Sequence, residues 1–202
     1  MAKRSKPADV TSGPTANPHS WLELNPLGKD DTPDFMFGVL EREFRRRTNS
    51  AVEFATVKLQ PVPPVPGGPA ITAERAEVAL PHGADDRYSD PFVLAAEVDR
   101  AAVPGKPALL GYITLFYPAA DRLHHAWRDA FGLAQAIADD TKVAVITVLH
   151  APGRQGSSNP VHAHLLLAGP RELTPMGLTS YHHEFCFPRG QRLLFERWMG
   201  RR

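Results

Sequence analysis

The run VITVLHAPGRQGSSNPVHAHLLLAG, residues 145–169, constrains the fold more than any other part of the chain. Two apolar segments rich in β-branched residues flank a stretch of Pro, Gly, Ser and Asn, a pattern typical of two strands joined by a loop. Alternate residues of a strand share a face, so His162 and His164 point the same way. An antiparallel pairing would bring His150, at the end of the first strand, beside them. The sequence therefore predicts three imidazoles at one edge of a sheet.

Three neutral imidazoles around an open position form a metal site suited to catalysis, because each ring offers a lone pair at about 2.0–2.1 Å. An open site leaves room for substrate oxygens, which suits phosphodiester chemistry with a separate nucleophile. Mg²⁺ or Mn²⁺ would serve for phosphate, and imidazoles also hold Zn²⁺, Ni²⁺ or Co²⁺. The alternative is that these are strand histidines satisfied by hydrogen bonds or solvent.

Charge is distributed unevenly, although the formal net charge is only +1. Arginines cluster at residues 42–47 and again over the last fourteen residues, while residues 74–100 are acidic. Such polarity allows one face to meet a polyanion such as nucleic acid. For any single cluster, ordinary solvated surface is the competing interpretation.

The chain of 202 residues is long enough for one domain with tails. Its one cysteine, Cys186, excludes an internal disulfide and fits a reducing cytoplasm. No signal peptide and no membrane-spanning apolar run is recognised, so we expect a cytoplasmic protein with no membrane partner.

The pattern along the chain predicts an α+β fold, with an antiparallel sheet covered by helices. Residues 1–31 are polar and are expected to form a largely disordered tail, followed by a single domain over 32–202. Thr32-Pro33-Asp34 predicts a helix start, with Phe37, Leu40 and Phe44 on one face. Residues 51–59 fit either a strand or a helix. The clearest further elements are strands at 76–80, 109–117, 142–150 and 161–168 and helices at 121–139 and after 188.

SSNPVHAHLLLAGPRELTPMGL is similar to the metal-binding motif of the MobA/MobL relaxases, within the HUH endonucleases. In that family a strand ending in His precedes an Asn-Pro-His-Ala-His motif; here Val161 is an extra residue between Pro and His. Upstream, AEVALPHGADDRYSDP at 76–91 resembles the family's strand-Leu-Pro-Gly-Ala segment. The resemblance covers about residues 74–200.

The resemblance implies an HUH relaxase-like fold and the nicking of one strand of plasmid DNA at the origin of transfer. A tyrosine attacks the scissile phosphate and stays on the 5′ end, while a divalent metal held by His150, His162 and His164 orients the phosphate. The implied partners are single-stranded DNA, or a plasmid transfer origin, and accessory mobilisation proteins. The basic residues expected to contact DNA are Arg45, Arg46, Arg47, Arg154, Arg171, Arg189 and Arg192.

The chain departs from the family at the nucleophile. The family's tyrosine lies in an N-terminal helix ahead of the strand-Leu-Pro segment, but here no tyrosine precedes Tyr88, and the family's first strand has no clear counterpart. Tyr112 and Tyr117, on a central strand, are interpreted as packing residues. Tyr181, beside His182 and His183, is the substitute nucleophile that the sequence offers.

Three hypotheses follow. The chain is a relaxase-like DNA-processing domain, with nicking either retained, weakened or lost, or it is a non-enzymatic DNA-binding or accessory mobilisation protein. The third hypothesis, a histidine-triad nucleotide hydrolase, is disfavoured because Leu166 stands where the third alternating histidine would be.

Overall fold

A seven-stranded antiparallel sheet forms the centre of the protein, as seen in a computed structural model that describes residues 18–29, 32–118 and 122–201. The strand order is β1-β2-β6-β8-β7-β5, and β9 pairs with the second half of β8. A two-stranded hairpin, β3–β4, stands apart from it. The strands are β1 (Leu24–Lys29), β2 (Thr32–Glu41), β3 (Glu43–Phe44), β4 (Arg47–Thr48), β5 (Arg75–Ala79), β6 (Ala108–Tyr117), β7 (Val143–His150), β8 (Val161–Thr174) and β9 (Gly177–Tyr181).

Helices cover both faces of the sheet: α1 (Ala51–Leu59), α2 (Pro91–Arg100), α3 (Leu123–Thr141) and α4 (Gly190–Met199). Short 3₁₀ turns at Pro18–Trp21, Asp86–Ser89, Pro152–Gln155 and His183–Cys186 connect them. One core lies under α3 and α4, where Trp127 and Trp198 are buried. The other lies under α1 and α2, around Phe54 and Leu94. The architecture is therefore three layers, helices on each side of one sheet.

The central strand β8 is buried along most of its length because both of its faces carry helices. Successive side chains of β8 pack into the two cores in turn. Leu165 and Leu167 face α3, whereas Leu166 and Ala168 belong to the core under α1. The same alternation puts the side chains of His162 and His164 on the α1 face.

The N-terminal region differs from the sequence-based expectation. Thr32–Glu41 is strand β2, not a helix, and pairs with β1 and β6. Phe35, Phe37 and Val39 alternate into one core, and burial of that apolar face outweighs the local helix-start signal. Within the expected disordered tail, Pro18–Trp21 and Leu24–Lys29 form a turn and β1; residues 1–17, 30 and 31 lie outside the described residues.

Helix α1 resolves the ambiguity at residues 51–59 and is fixed at its N-terminus by a carboxylate. Asp99 on α2 accepts hydrogen bonds from the Ala51 amide at 2.8 Å, the Val52 amide at 3.1 Å and the Ser50 hydroxyl at 2.6 Å. These charge-assisted bonds satisfy N–H groups that have no partner within the helix. Anchored at this end, α1 directs its last turn towards the end of β7.

Candidate metal centre

His150, His162 and His164 lie together at the edge of the sheet, as the sequence predicts. The β7–β8 register sets His150 opposite His162, and His164 follows two residues along β8. The ring centroids are 4.7–5.2 Å apart, and the nitrogens that could ligate an ion lie within 4.8 Å of one another. These three histidines could bind one metal ion.

Each ring is oriented by a hydrogen bond through its other nitrogen. His150 Nε2 lies 2.7 Å from the Lys58 carbonyl, and His162 Nδ1 lies 2.9 Å from the Pro160 carbonyl, so both nitrogens donate. His164 Nδ1 is 2.7 Å from the Tyr112 hydroxyl and 3.1 Å from that of Thr114. The ligand set consistent with these bonds is Nδ1 of His150 with Nε2 of His162 and His164. Such outer partners fix ring orientation and tautomer in metal sites.

The local electrostatics favour the neutral form of His150 and His162. Burial lowers the pKa of His150 from 6.5 to about 4, and burial also lowers the pKa of His162. The nearby Lys58 ammonium acts in the same direction on both rings. Neutral imidazole is the form that donates a lone pair, so the donor set fits a divalent ion without prior loss of protons.

A cavity of about 290 Å³ opens beside two of the three rings. It lies between the end of α1 and the β7–β8 loop, so its wall is mostly proline and uncharged polar residues. The residues that line it are Pro61, His150, Ala151, Pro152, Gln155, Ser157, Asn159 and His162. The cavity gives a ligand a route to the histidines from the loop side.

Lys58 and Tyr112 belong to the site, although the sequence assigns Lys58 no role and Tyr112 only packing. Lys58 is only 3% exposed, and its Nζ lies 5.2 Å from the ring centroid of Tyr112 and 5.4 Å from that of Phe54. Burial lowers the pKa of Lys58 to about 7. For Tyr112 a signal exists, because Thr114 pairs with His164 and alternation puts Tyr112 on the same face.

The structure does not bring Tyr181 to the histidines. Tyr181 pairs with Arg171 on β8, seven residues beyond His164, which corresponds to roughly 20 Å at the usual strand rise. The His182 ring stacks instead on Phe185, at 5.7 Å between centroids. As the substitute nucleophile, Tyr181 remains only a prediction, without support from its position.

The hydroxyl groups of the other three tyrosines each have a hydrogen-bond partner, and all four tyrosines lie among the described residues. The Tyr88 hydroxyl accepts from Arg87, and the Tyr117 hydroxyl donates to Asp129 at 2.9 Å. Tyr112 is fully buried, which raises the pKa of its phenol, and its hydroxyl contacts His164. The helix ahead of the β5 segment, where the resemblance places the nucleophile, is α1, which carries Lys58 and no tyrosine.

The arginines expected to contact DNA are dispersed over the molecule. Arg154, in the 3₁₀ turn beside the cavity, pairs with Glu74 at 2.6 Å. Arg171 donates to the backbone carbonyls of Ala101, Leu178 and Thr179 at 2.7–2.8 Å, so its guanidinium ties the β8–β9 hairpin to α2.

The remaining arginines lie away from the centre. The turn of the β3–β4 hairpin holds Arg45 and Arg46, and Arg47 pairs with Glu53 at 2.7 Å. This hairpin follows the end of β2, which pairs with Ala108 at the start of β6. His162 and His164 pair with the second half of β6, at the other end of that strand. Arg189 and Arg192 are at the start of α4, on the opposite face of the sheet.

No protein-family model matches the chain, and no curated protein matches it. A solved structure concerned with the molecular basis of vancomycin resistance transfer in Staphylococcus aureus is similar, with a TM-score of 0.57 and 17% identity over 75% of this chain and 82% of that chain. The likeness shows that the two chains share a fold. The antiparallel sheet with helices on both faces confirms the predicted α+β class. Among the described residues, no helix is long and apolar enough to cross a membrane.

Proposed function

We propose that this chain is a plasmid-mobilisation domain of the relaxase type, akin to MobA/MobL proteins, that binds single-stranded DNA at a divalent metal held by His150, His162 and His164. The observation that carries the proposal is the oriented three-histidine cluster, with ligand atoms within 4.8 Å, on a fold shared with a structure concerned with resistance transfer. Mg²⁺ or Mn²⁺ suits phosphate oxygens.

Some residues of the site would bind the ion, and others orient the imidazole rings. The three imidazoles would hold the ion, and the Lys58 and Pro160 carbonyls and the Tyr112 hydroxyl keep the rings in place. A bound divalent ion supplies Lewis-acid polarisation of a phosphate oxygen. The cavity would receive the strand, with Gln155, Ser157 and Asn159 offering hydrogen bonds to sugar or base.

A second function is favoured by one specific observation: none of the four tyrosines, all of which lie in the part of the chain that the structure describes, is open beside the cluster. A phenol nucleophile must reach the phosphate that the metal orients, and Tyr112 is buried behind His164. The alternative function is therefore DNA binding without covalent nicking, as an accessory protein of mobilisation.

The test combines DNA binding and adduct formation. Fluorescence anisotropy with labelled single-stranded oligonucleotides, with and without Mn²⁺, should show metal-dependent binding that is lost in His162→Ala and kept in His82→Ala, a change at an exposed histidine. Denaturing electrophoresis of the same samples separates the two functions, because only a nicking enzyme leaves a covalent protein–DNA adduct. Binding that is indifferent to both Mn²⁺ and His162→Ala would overturn the proposal.

A further inference from the structure

Lys58 occupies an unusual position at the C-terminal turn of α1. Its carbonyl oxygen accepts the hydrogen bond from His150, so its backbone is fixed against the cluster. Its side chain lies beneath the same site, with Nζ 5.2 Å from the ring centroid of Tyr112, whose hydroxyl is 2.7 Å from His164 Nδ1. Lys58 thus contacts one candidate metal ligand, His150, through its backbone, and its side chain lies beside Tyr112, the hydrogen-bond partner of a second, His164.

The Lys58 ammonium is buried without a counter-charge. Among the described residues, no carboxylate lies within 4.0 Å of Lys58 Nζ, although the residue is only 3% exposed. Burial of an unpaired cation is costly, and the Phe54 and Tyr112 ring faces offset only part of that cost. The protein thus keeps a lysine here whose charge no neighbouring carboxylate balances.

An anion is the ligand that this arrangement suits. Burial favours the neutral form of His150 and His162, whereas Lys58 places a basic amine beside Tyr112, the hydrogen-bond partner of His164. A phosphodiester carries negative charge on its non-bridging oxygens, and a desolvated ammonium binds such oxygens more strongly than a surface lysine does.

We infer that Lys58 is the protein's own cationic contact for the backbone phosphate of single-stranded DNA bound at the histidine centre, acting alongside the metal. The inference rests on the proposed function and names the residue that selects a phosphodiester over an uncharged ligand. In this role the Lys58 ammonium binds the phosphate oxygens and does not act as the nucleophile.

The test compares Lys58→Met with Lys106→Met, a matched change at an exposed lysine. Two probes are used: Mn²⁺ alone, followed by isothermal titration, and a short labelled single-stranded oligonucleotide in the presence of Mn²⁺, followed by anisotropy over a range of salt. Mn²⁺ affinity should be kept or increased in Lys58→Met, which also shows that the variant folds. DNA affinity should fall roughly tenfold, and the slope of log K against log salt should fall by about 0.7, as expected for one lost single-strand phosphate contact. Lys106→Met should change neither.

The outcomes are distinct. Equal DNA affinity and salt slope in the wild type and Lys58→Met, with Mn²⁺ bound by both, would overturn the role of Lys58 and leave the proposed function standing. A wild type that binds Mn²⁺ but no single-stranded DNA would overturn the proposed function and, with it, the role given to Lys58. If Mn²⁺ binding is also lost in Lys58→Met, the residue is structural and the inference fails.

Discussion

Replacing Lys58 with methionine should stabilise the fold near neutral pH and have little effect at alkaline pH. Burial lowers the pKa of Lys58 from 10.5 to about 7. The unfolded chain therefore binds more protons than the folded chain between these values, and stability rises with pH. The neutral amine's contribution is fully present above pH 10.5 and is lost as the pH falls through about 7.

The magnitude follows from the two pKa values. At about 1.4 kcal/mol per pKa unit, the difference between 10.5 and about 7 limits the cost of the buried charge to about 5 kcal/mol. Methionine keeps a straight, flexible side chain and carries no charge, so it removes this cost while filling much of the same space. We expect Lys58→Met to raise the free energy of unfolding by about 4 kcal/mol at pH 7 and by less than about 1 kcal/mol at pH 10.

Urea unfolding of the metal-free protein at both pH values measures this directly, with chelator present throughout. His150, His162 and Tyr112 face Lys58 from β7, β8 and β6, and they are the same in both proteins, so their own titration cancels to first order. A variant no more stable than the wild type at pH 7, or an equal gain at pH 7 and pH 10, would refute the reasoning.

Three further predictions concern Tyr112, His150 and Arg171. Tyr112→Phe removes the hydroxyl beside His164 and should weaken metal affinity by about 10–100-fold in a Mn²⁺ competition titration without loss of fold; unchanged affinity would show that the hydroxyl does not orient the ring. Because the pKa of His150 is lowered to about 4, the stability that its neutral ring contributes is present above pH 6.5 and is lost as the pH falls through about 4. The wild type should therefore lose about 3 kcal/mol of unfolding free energy between pH 7 and pH 4 that His150→Gln does not lose. Urea titrations at the two pH values measure this, and equal acid sensitivity of the two proteins would contradict it. Arg171→Ala should destabilise the fold by about 3 kcal/mol, because three backbone carbonyls lose a charged donor, whereas Arg192→Ala, at an 86% exposed side chain, should change it by less than about 0.5 kcal/mol. Thermal melts compare the two variants, and a loss of DNA affinity in Arg171→Ala with unchanged stability would instead favour a direct DNA contact.

The histidine cluster could be predicted because its determinants are local. The alternation along β8 sets His162 and His164 on one face, and the Pro-rich loop returns the chain so that His150 lies opposite His162. Lys58 carried no such signal. Its carbonyl meets His150 across 92 residues of sequence, and only the packing of α1 on the sheet makes that contact.

The N-terminal region shows how a local signal can mislead. Thr32-Pro33-Asp34 resembles a helix start, and the spacing of Phe37 and Leu40 fits one helical face. The same residues fit a strand, since Phe35, Phe37 and Val39 alternate into the core. Pairing with β6, more than sixty residues away, decides between the two, and no window of the sequence contains it.

Strand register brings the three histidines together, whereas proximity in sequence does not bring Tyr181 to them. Tyr181 is adjacent to His182, but those histidines lie at the 3₁₀ turn after β9 and not at the metal centre. Arg171 follows the histidine motif closely, and its guanidinium donates to three backbone carbonyls; its predicted contact with DNA stays a prediction. A count of basic residues does not show which arginines also hold the backbone in place.

Titration with Co²⁺ shows whether His150, His162 and His164 hold a divalent ion. Visible absorption reports the ligand field, and equilibrium dialysis gives the stoichiometry. We expect one ion per chain, with binding abolished by His162→Ala and kept in His82→Ala. Absence of Co²⁺ binding in the wild type, or binding that survives His162→Ala unchanged, would contradict it.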